Sequence, residues 1–384
     1  MRDRPRSFSG IFPILLPLAD AIVRVRRRMR FVKPLVALVG LVLAPVLPAV
    51  AQTYTVIDLG TLGGDSSEAA AINSRGEVVG WSKNGVGQTR AFMYRAGAMA
   101  DLGTLVGGTY SYATAINDRG QVIGYGGINA DGPQFAERMS SFLWENGSMR
   151  PLSGFDERHL TTAAYGINGA TGVAGAAATV SGVVQAYRWE GDVVTDVGLS
   201  PSNSSRSSSY GINDRGQIVG ERDGRAFFWQ NGQTLDLGTL PGDSSSRARA
   251  INVSDQIIGE STAANGTSRA FIWQGGAMVD LGTLPGDAAS RASGINASGH
   301  VVGQSMAADG ASRAVVWRNG SMSDLNTRVP TGAGWMLTTA TAINDAGQIS
   351  GTGLHDRRTR AFLLTPIKRA PTAPTSVILG PPTR

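Results

Sequence analysis

The decapeptide AINDRGQVIG at 115–124 returns at 211–220 as GINDRGQIVG. Asn, Asp and two glycines this close together could ligate a hard cation, cradle a phosphate or simply turn the chain. A calcium loop of the EF-hand kind needs three oxygen-bearing positions and a distal bidentate Glu, and the phrase has neither. As a three-residue hairpin loop it uses every residue. Asn opens a type I turn, Asp is compatible within it, and Gly takes the left-handed position of the bulge that follows. Gly76, Gly120, Gly216, Gly299 and Gly347 hold that position in five copies, and Asp255 holds it in a sixth. In the remaining copy it falls to Thr171. A β-branched residue suits positive φ poorly, so a turn shifted to Asn168-Gly169 is expected there.

Other reactive residues are sparse. The three histidines, His159, His300 and His355, lie in different local contexts, without an H-x-x-x-H or H-E-x-x-H pair or a G-x-S-x-G elbow. There is no cysteine, which excludes disulfides, thiolate metal sites and a lipid-anchored Cys. Asp65, Asp243 and Asp287 recur in GDSS and GDAAS stretches. They read as Asx-turns holding links between units rather than as cation ligands. No catalytic, cofactor or metal residue is assigned, and a protein without enzymatic activity is expected. The binding candidates lie where regularity fails, because loops on a rigid scaffold commonly carry binding roles. The insertion 125–140 (YGGINADGPQFAERMS) supplies Phe135, Glu137 and Arg138. The segment 153–163 (SGFDERHLTTA) supplies Asp156, Glu157, Arg158 and His159.

The scaffold that must position them is a repeat. An Ile-Asn pair recurs at Ile72, Ile116, Ile167, Ile212, Ile251, Ile295 and Ile343, in steps of 44, 51, 45, 39, 44 and 48 residues. Each is followed by an AFxW-like phrase (AFMY, SFLW, AYRW, AFFW, AFIW, AVVW, AFLL). A DLGTL phrase is clear at Asp58, Asp101, Asp236 and Asp280 and weaker at Asp196 and Asp324. Each unit reads as four short strands bounded by turn formers, with two-residue hairpin signals such as Asn146-Gly147, Asn231-Gly232 and Asn319-Gly320. Four antiparallel strands in 40 to 45 residues are what one propeller blade requires. The chain enters at TYTVIDLG, a lone fourth-type strand, and leaves after AFLLTP, a third-type strand with no fourth behind it. These facts predict an all-β, seven-bladed propeller over 52–366, closed by the N-terminal strand completing the last blade. Closure removes the sheet edges that a linear array would expose. Trp144, Trp189, Trp229, Trp273 and Trp317 keep a regular place in the third strands, which predicts packing between blades rather than stacking on sugars. The Arg before AF and the Asp before LG are expected to pair within a blade.

The combination of AINDxGQVVG, RAFxW and DLGTLPG resembles the HAF-repeat family of predicted extracellular bacterial proteins, over essentially all of 54–366. The family takes its name from a His-Ala-Phe triplet. Here Arg90, Arg225, Arg269, Arg313 and Arg360 stand in place of that His, so no role of the His transfers. The resemblance implies secretion and repetition and brings no established activity.

The ends set compartment and charge. Met29 to Lys33 is a short basic segment, PLVALVGLVLAPVLPAV an apolar run, and Ala49 and Ala51 form an A-x-A site before Gln52. That layout is a secretory signal, so residues 1–51 are expected to be removed. Residues 1–28 then form an over-long gene start or an extended basic region. The chain carries 35 Lys+Arg against 29 Asp+Glu. Without 1–51 the balance is 26 against 27, and no basic face for nucleic acid remains. Residues 367–384 read as a Pro-rich flexible tail. The expectation is an exported monomer, periplasmic or extracellular, without a cofactor and without a membrane association after signal cleavage. It acts as a binding scaffold for an extracellular protein or glycan. The rival is a polysaccharide-active hydrolase or lyase, which would bring Asp156, Glu157 and His159 together in a deep cleft.

Overall fold

The computed structural model describes residues 52–128, 138–198 and 206–367. Residues 1–51 and 368–384, with their expected signal and tail, lie outside the described residues. Seven four-stranded antiparallel sheets account for nearly all of the remainder. In six of them the strands are consecutive. In the seventh, Tyr54–Asp58 lies against Arg358–Pro366, the third strand of the final blade. Tyr54 faces Pro366 and Asp58 faces Phe362 in that register. The two ends of the chain therefore share one sheet, as the phase of the repeats predicts.

The first strand of every blade is the innermost. These strands are Gly63–Ile72, Ser111–Ile116, His159–Ile167, Ser207–Ile212, Asp243–Ile251, Ala289–Ile295 and Trp335–Ile343. Each contacts the next around the ring, and the last contacts the first. All seven carry a bulge at the same place, with Ala70, Thr114, Tyr165, Tyr210, Arg249, Ser293 and Thr341 as the extra residue. A bulge bends a strand and raises its twist, which an inner strand needs to wrap an axis. The bend presses one carbonyl onto the facing glycine of the second strand. A Cβ on Gly259 would lie 1.9 Å from the Arg247 carbonyl oxygen, and one on Gly124 1.9 Å from that of Tyr112.

The core is divided among the interfaces between blades. Seven apolar clusters each join one blade to the next. One joins the seventh blade to the first, through Leu363 and Ala361 against Leu59, Ile72 and Phe92. The tryptophans pack there as expected. Trp189 and Trp317 are buried and donate their indole N–H to the Ser153 and Leu281 carbonyls of the preceding blade, both at 2.9 Å.

Two local expectations are corrected. Thr171 does not shift its turn. It adopts φ 71°, and its N–H donates to the Asn168 carbonyl, as the glycine N–H does in the five Gly copies. Its hydroxyl donates to Gln121 Oε1 of the preceding blade at 2.8 Å, and this offsets part of the strain of a left-handed threonine. Asp243 and Asp287 are not Asx-turns. Their carboxylates are almost fully buried and receive Arg269 and Arg313 at 2.8 and 2.5 Å. The expected Arg–Asp pair within a blade is also present, as Arg225–Asp236 at 2.8 Å and Arg269–Asp280 at 3.0 Å. The DLG aspartates cap their own turns as well, Asp280 accepting from Gly282 N at 2.8 Å. Behind those turns, Ser290 of the next blade takes the Ala270 N–H and donates to the Gly282 carbonyl.

Candidate functional site

Antiparallel alternation gives the ring two distinct ends. The hairpins joining first to second strands gather at one end of the axis. The links between blades and the second-to-third hairpins gather at the other.

At the hairpin end, the asparagine of every Ile-Asn pair is buried. Each Nδ2 donates to the backbone carbonyl of the equivalent asparagine in the next blade. The chain of donors runs Asn73 to Asn117, Asn168, Asn213, Asn252, Asn296 and Asn344, at 3.0 to 3.2 Å. Asn344 returns to Asn73 at 3.0 Å and closes the circle. The Oδ1 of the same residue holds its own turn, accepting from the N–H four residues on in every blade and, in the first five, also from the N–H two residues on. The repeated phrase is thus both a hairpin and a hydrogen-bonded belt. The belt rims a shallow axial depression of about 320 Å³, with Asp118, Asp214 and Asp345 at its edge. Each of the three accepts a backbone N–H from the preceding blade at 2.8 Å. They serve as blade-to-blade clasps.

Behind the belt the inner strands are lined differently, and by residues that vary. The bulge residue sits in the frame small-x-small-Ile-Asn: AAAIN, ATAIN, AYGIN, SYGIN, ARAIN, ASGIN and ATAIN. Only x changes character, and all seven x residues are half-buried along the axis. In the third to fifth blades they touch in sequence. The rings of Tyr165 and Tyr210 are 5.4 Å apart, and the Arg249 guanidinium lies 5.8 Å from the Tyr210 ring. Burial pushes the Tyr165 hydroxyl up to about 12, with Tyr210 adding to it, so it is a neutral donor across the ordinary range. In the first two blades Trp81, Tyr112, Tyr110 and Tyr125 form a second aromatic cluster, with ring centroids 5.4 to 5.8 Å apart. Beside Tyr210 stands a charged group. Arg249 donates twice to Glu260, at 2.8 and 2.9 Å, and Arg247 joins Glu260 at 3.4 Å to Glu221 at 2.5 Å. Glu260 is 5% exposed and is held there by the paired guanidinium groups, since a buried lone carboxylate would be costly. Two hollows of about 280 and 210 Å³ open on either side of the Glu221–Arg247 pair.

Among the described residues, those singled out by broken rhythm do not assemble into one site. Phe135 and Glu137 lie outside the described residues. Tyr125 to Ile128 and Arg138 to Ser140 are strand rather than loop, and Arg138 is exposed opposite Ile128. Likewise His159–Ile167 is the inner strand of the third blade, which leaves 153–158 as the link. Asp156 and Glu157 are exposed, and Asp156 is satisfied locally. It pairs with Arg158 at 2.5 Å and His159 at 2.9 Å. The Arg158 hydrogen bond holds its carboxyl down at about 2. Asp156, Glu157 and His159 therefore form a self-contained turn rather than a cleft. Among the described residues no group of three His, Cys, Asp or Glu side chains could hold a metal ion. Nor is any helix there long and apolar enough to cross a membrane.

The architecture defines a seven-bladed β-propeller with a closed ring and a polar-aromatic axis. No protein-family model matches the chain, and no curated protein matches it by sequence. Solved structures similar to it include the β-propeller domain of the trilobed protease from Pyrococcus furiosus. That match has 12% identity and a TM-score of 0.39, over 54% of this chain and 66% of that one. Puromycin hydrolase matches at 13% identity with a TM-score of 0.48, over 80% of this chain and 52% of that one. A gluconolactonase from Xanthomonas campestris matches at 12% identity with a TM-score of 0.39, over 84% and 98%. The chain thus spans about half the length of puromycin hydrolase. The likeness is one of fold. It corrects the expectation of a protein without activity: chains matched on this fold include hydrolases, so a missing catalytic motif is no ground for excluding catalysis.

Proposed function

We propose that this is an exported propeller of the HAF-repeat type that binds its ligand at the axial patch of Tyr165, Tyr210 and Arg249. The observation that carries the reading is the bulge position. Any small residue would let a sheet close there, and four blades use Ala70, Thr114, Ser293 and Thr341. The third to fifth blades place Tyr165, Tyr210 and Arg249 in one contiguous patch instead. A packing role does not require them, since the blades are already joined by their apolar clusters and by the asparagine belt. Aromatic rings beside fixed guanidinium groups are the composition of a recognition surface. The amino-terminal layout of a basic segment, an apolar run and an A-x-A site supports export.

The test is a thermal-shift and array screen of the purified protein against extracellular glycans and secreted proteins, repeated with the double variant Tyr165→Thr/Tyr210→Thr, which installs the residue that two other blades carry at this position and leaves the Arg249–Glu260 pair intact. Binding by the parent protein that the double variant loses, with its melting temperature kept within a few degrees, supports the axial site. Binding that survives the double variant moves the site elsewhere and refutes the reading.

A further inference from the structure

The two hollows beside Tyr210 have a charge pattern that selects among ligands, and their use by any ligand rests on the axial binding reading. Their shared wall is the Glu221–Arg247 pair. Within that wall every formal charge has a partner: Arg247 serves both glutamates, and Arg249 is committed to Glu260. Two guanidinium groups are left over, one at each hollow. Arg291 lines the larger, and Arg206 lines the smaller. Both residues are exposed, and among the described residues neither side chain has a hydrogen bond or ion pair to the protein.

Each hollow thus presents one uncompensated positive charge. A buried carboxylate, Glu260, lies behind the larger hollow and Glu221 stands between the two. A dianionic phosphate would meet these carboxylates with only one free cation to balance it. A single carboxylate matches one guanidinium in charge and in its forked geometry. Most of the remaining lining is hydroxyl: Ser245, Thr262 and Ser268 beside Gly266 in the larger hollow, Ser207 and Ser208 with Val184 and the Tyr210 ring in the smaller. The volumes, about 280 and 210 Å³, fall below the roughly 300–1,000 Å³ of pockets for drug-sized ligands. Each suits one small hydroxylated group. Two such compartments sharing a wall suit two successive groups of one chain.

We infer that the paired hollows take an acidic oligosaccharide, with the carboxylates of two neighbouring uronic-acid units paired to Arg291 and Arg206. The hydroxyl-bearing walls receive the sugar hydroxyls, and the Tyr210 ring offers a face to one of the sugars.

Isothermal titration calorimetry of the purified protein against glucuronate and galacturonate tests this. The probes are mono-, di- and tetramers of each acid, with glucose and galactose oligomers and galactose 6-phosphate as comparators. An acidic dimer should bind about tenfold or more tighter than its monomer, and tighter than the neutral and phosphorylated sugars. Arg291→Gln and Arg206→Gln should each weaken it about three- to tenfold, the range of a partly exposed ion pair. Both losses should shrink at high salt, and the Lys variants should recover part of the affinity. Neutral sugars binding as tightly as acidic ones, or no acidic oligomer binding at all, would overturn the inference. If a neutral sugar binds and Tyr210→Ala abolishes it, the axial site stands and only the acidic specificity falls. If an acidic oligomer binds indifferently to Tyr210, Arg206 and Arg291, the axial site falls as well.

Discussion

Replacing one belt asparagine should be among the costliest polar substitutions in this protein. Asn213 is 6% exposed. Its Nδ2 donates to the Asn252 carbonyl at 3.1 Å and to Gln217 Oε1 at 2.6 Å. Its Oδ1 accepts from the Arg215 and Gln217 N–H groups at 3.1 and 3.2 Å. Asn213→Ala removes all of these and leaves the Asn252 carbonyl and the Gln217 amide buried without that partner. At about 1 kcal/mol net per hydrogen bond, and more for each atom left unsatisfied, the loss comes to about 3–4 kcal/mol. Asp214→Ala, one residue on, removes one exposed bond to Gly169 N and should cost less than about 1 kcal/mol. Asn344→Ala, whose Nδ2 crosses the closure to the Asn73 carbonyl at 3.0 Å, should cost as much as Asn213→Ala, because a closed ring has no weak joint. Urea unfolding followed by tryptophan fluorescence and circular dichroism measures all three. Coincident transitions and an unchanged slope are needed for the midpoints to report stability. A loss below about 1 kcal/mol for Asn213→Ala would show the belt to be incidental. A much cheaper Asn344→Ala would show the ring to be open at the junction.

Arg269 bridges a buried and an exposed carboxylate, so its two couplings should differ. A double-mutant cycle with Asp243, whose side chain is 2% exposed, should give at least about 1 kcal/mol, and one with Asp280 about 0.5 kcal/mol or less; the reverse order would remove Asp243 from the buried pair. Thr171→Gly exchanges relief of a left-handed conformation, about 1 kcal/mol, for loss of the hydroxyl bond to Gln121, about as much, so its melting temperature should hardly move, whereas Thr171→Val keeps the strain and should be clearly destabilised. The depressed Asp156 carboxyl adds stability above the ordinary carboxylate range that is lost as pH falls toward 2. Carbon-13 NMR should place its midpoint near 2 and Arg158→Ala should raise it, while an unmoved midpoint would discount the Arg158 bond. Deleting residues up to Asp58 bares the edge of Arg358–Pro366, so the truncated protein should melt earlier and associate with rising concentration in sedimentation; a monomer of unchanged stability would make the closure strand dispensable.

What the sequence made legible is what depends on a few neighbouring residues or on counting. The turn at each Ile-Asn, the hairpin signals and the seven units are local, and the closure follows from the phase of the count. The DLG and RAF phrases also declared their pairing, because charges of opposite sign recur together. The second partners, Asp243 and Asp287, were hidden because a GD pair in a link is explained equally well by a turn. Thr171 misled for a related reason: local preference argued against its conformation, and the belt on either side of it imposed the turn regardless.

The belt and the axial patch were missed although the same seven phrases contain the signal for both. A type I turn opens as readily on Asp or Ser as on Asn, yet all seven copies have Asn. Turn chemistry alone does not account for that constancy. Of the three, only Asn both accepts from its own turn with Oδ1 and donates from an amide to a neighbour 39 to 51 residues away. Conversely, two places before each Ile the residue runs through Ala, Thr, Tyr, Tyr, Arg, Ser and Thr inside a frame of small residues. Small flanks let the bulge form against the second strand, and the extra residue is then free of both sheet faces. A position that the fold leaves free and that three adjacent blades fill with two tyrosines and an arginine is where selection by a ligand can act. Of the irregular segments, 156–159 spends its charges on itself. The informative irregularity is a single variable letter inside the most regular phrase of the chain.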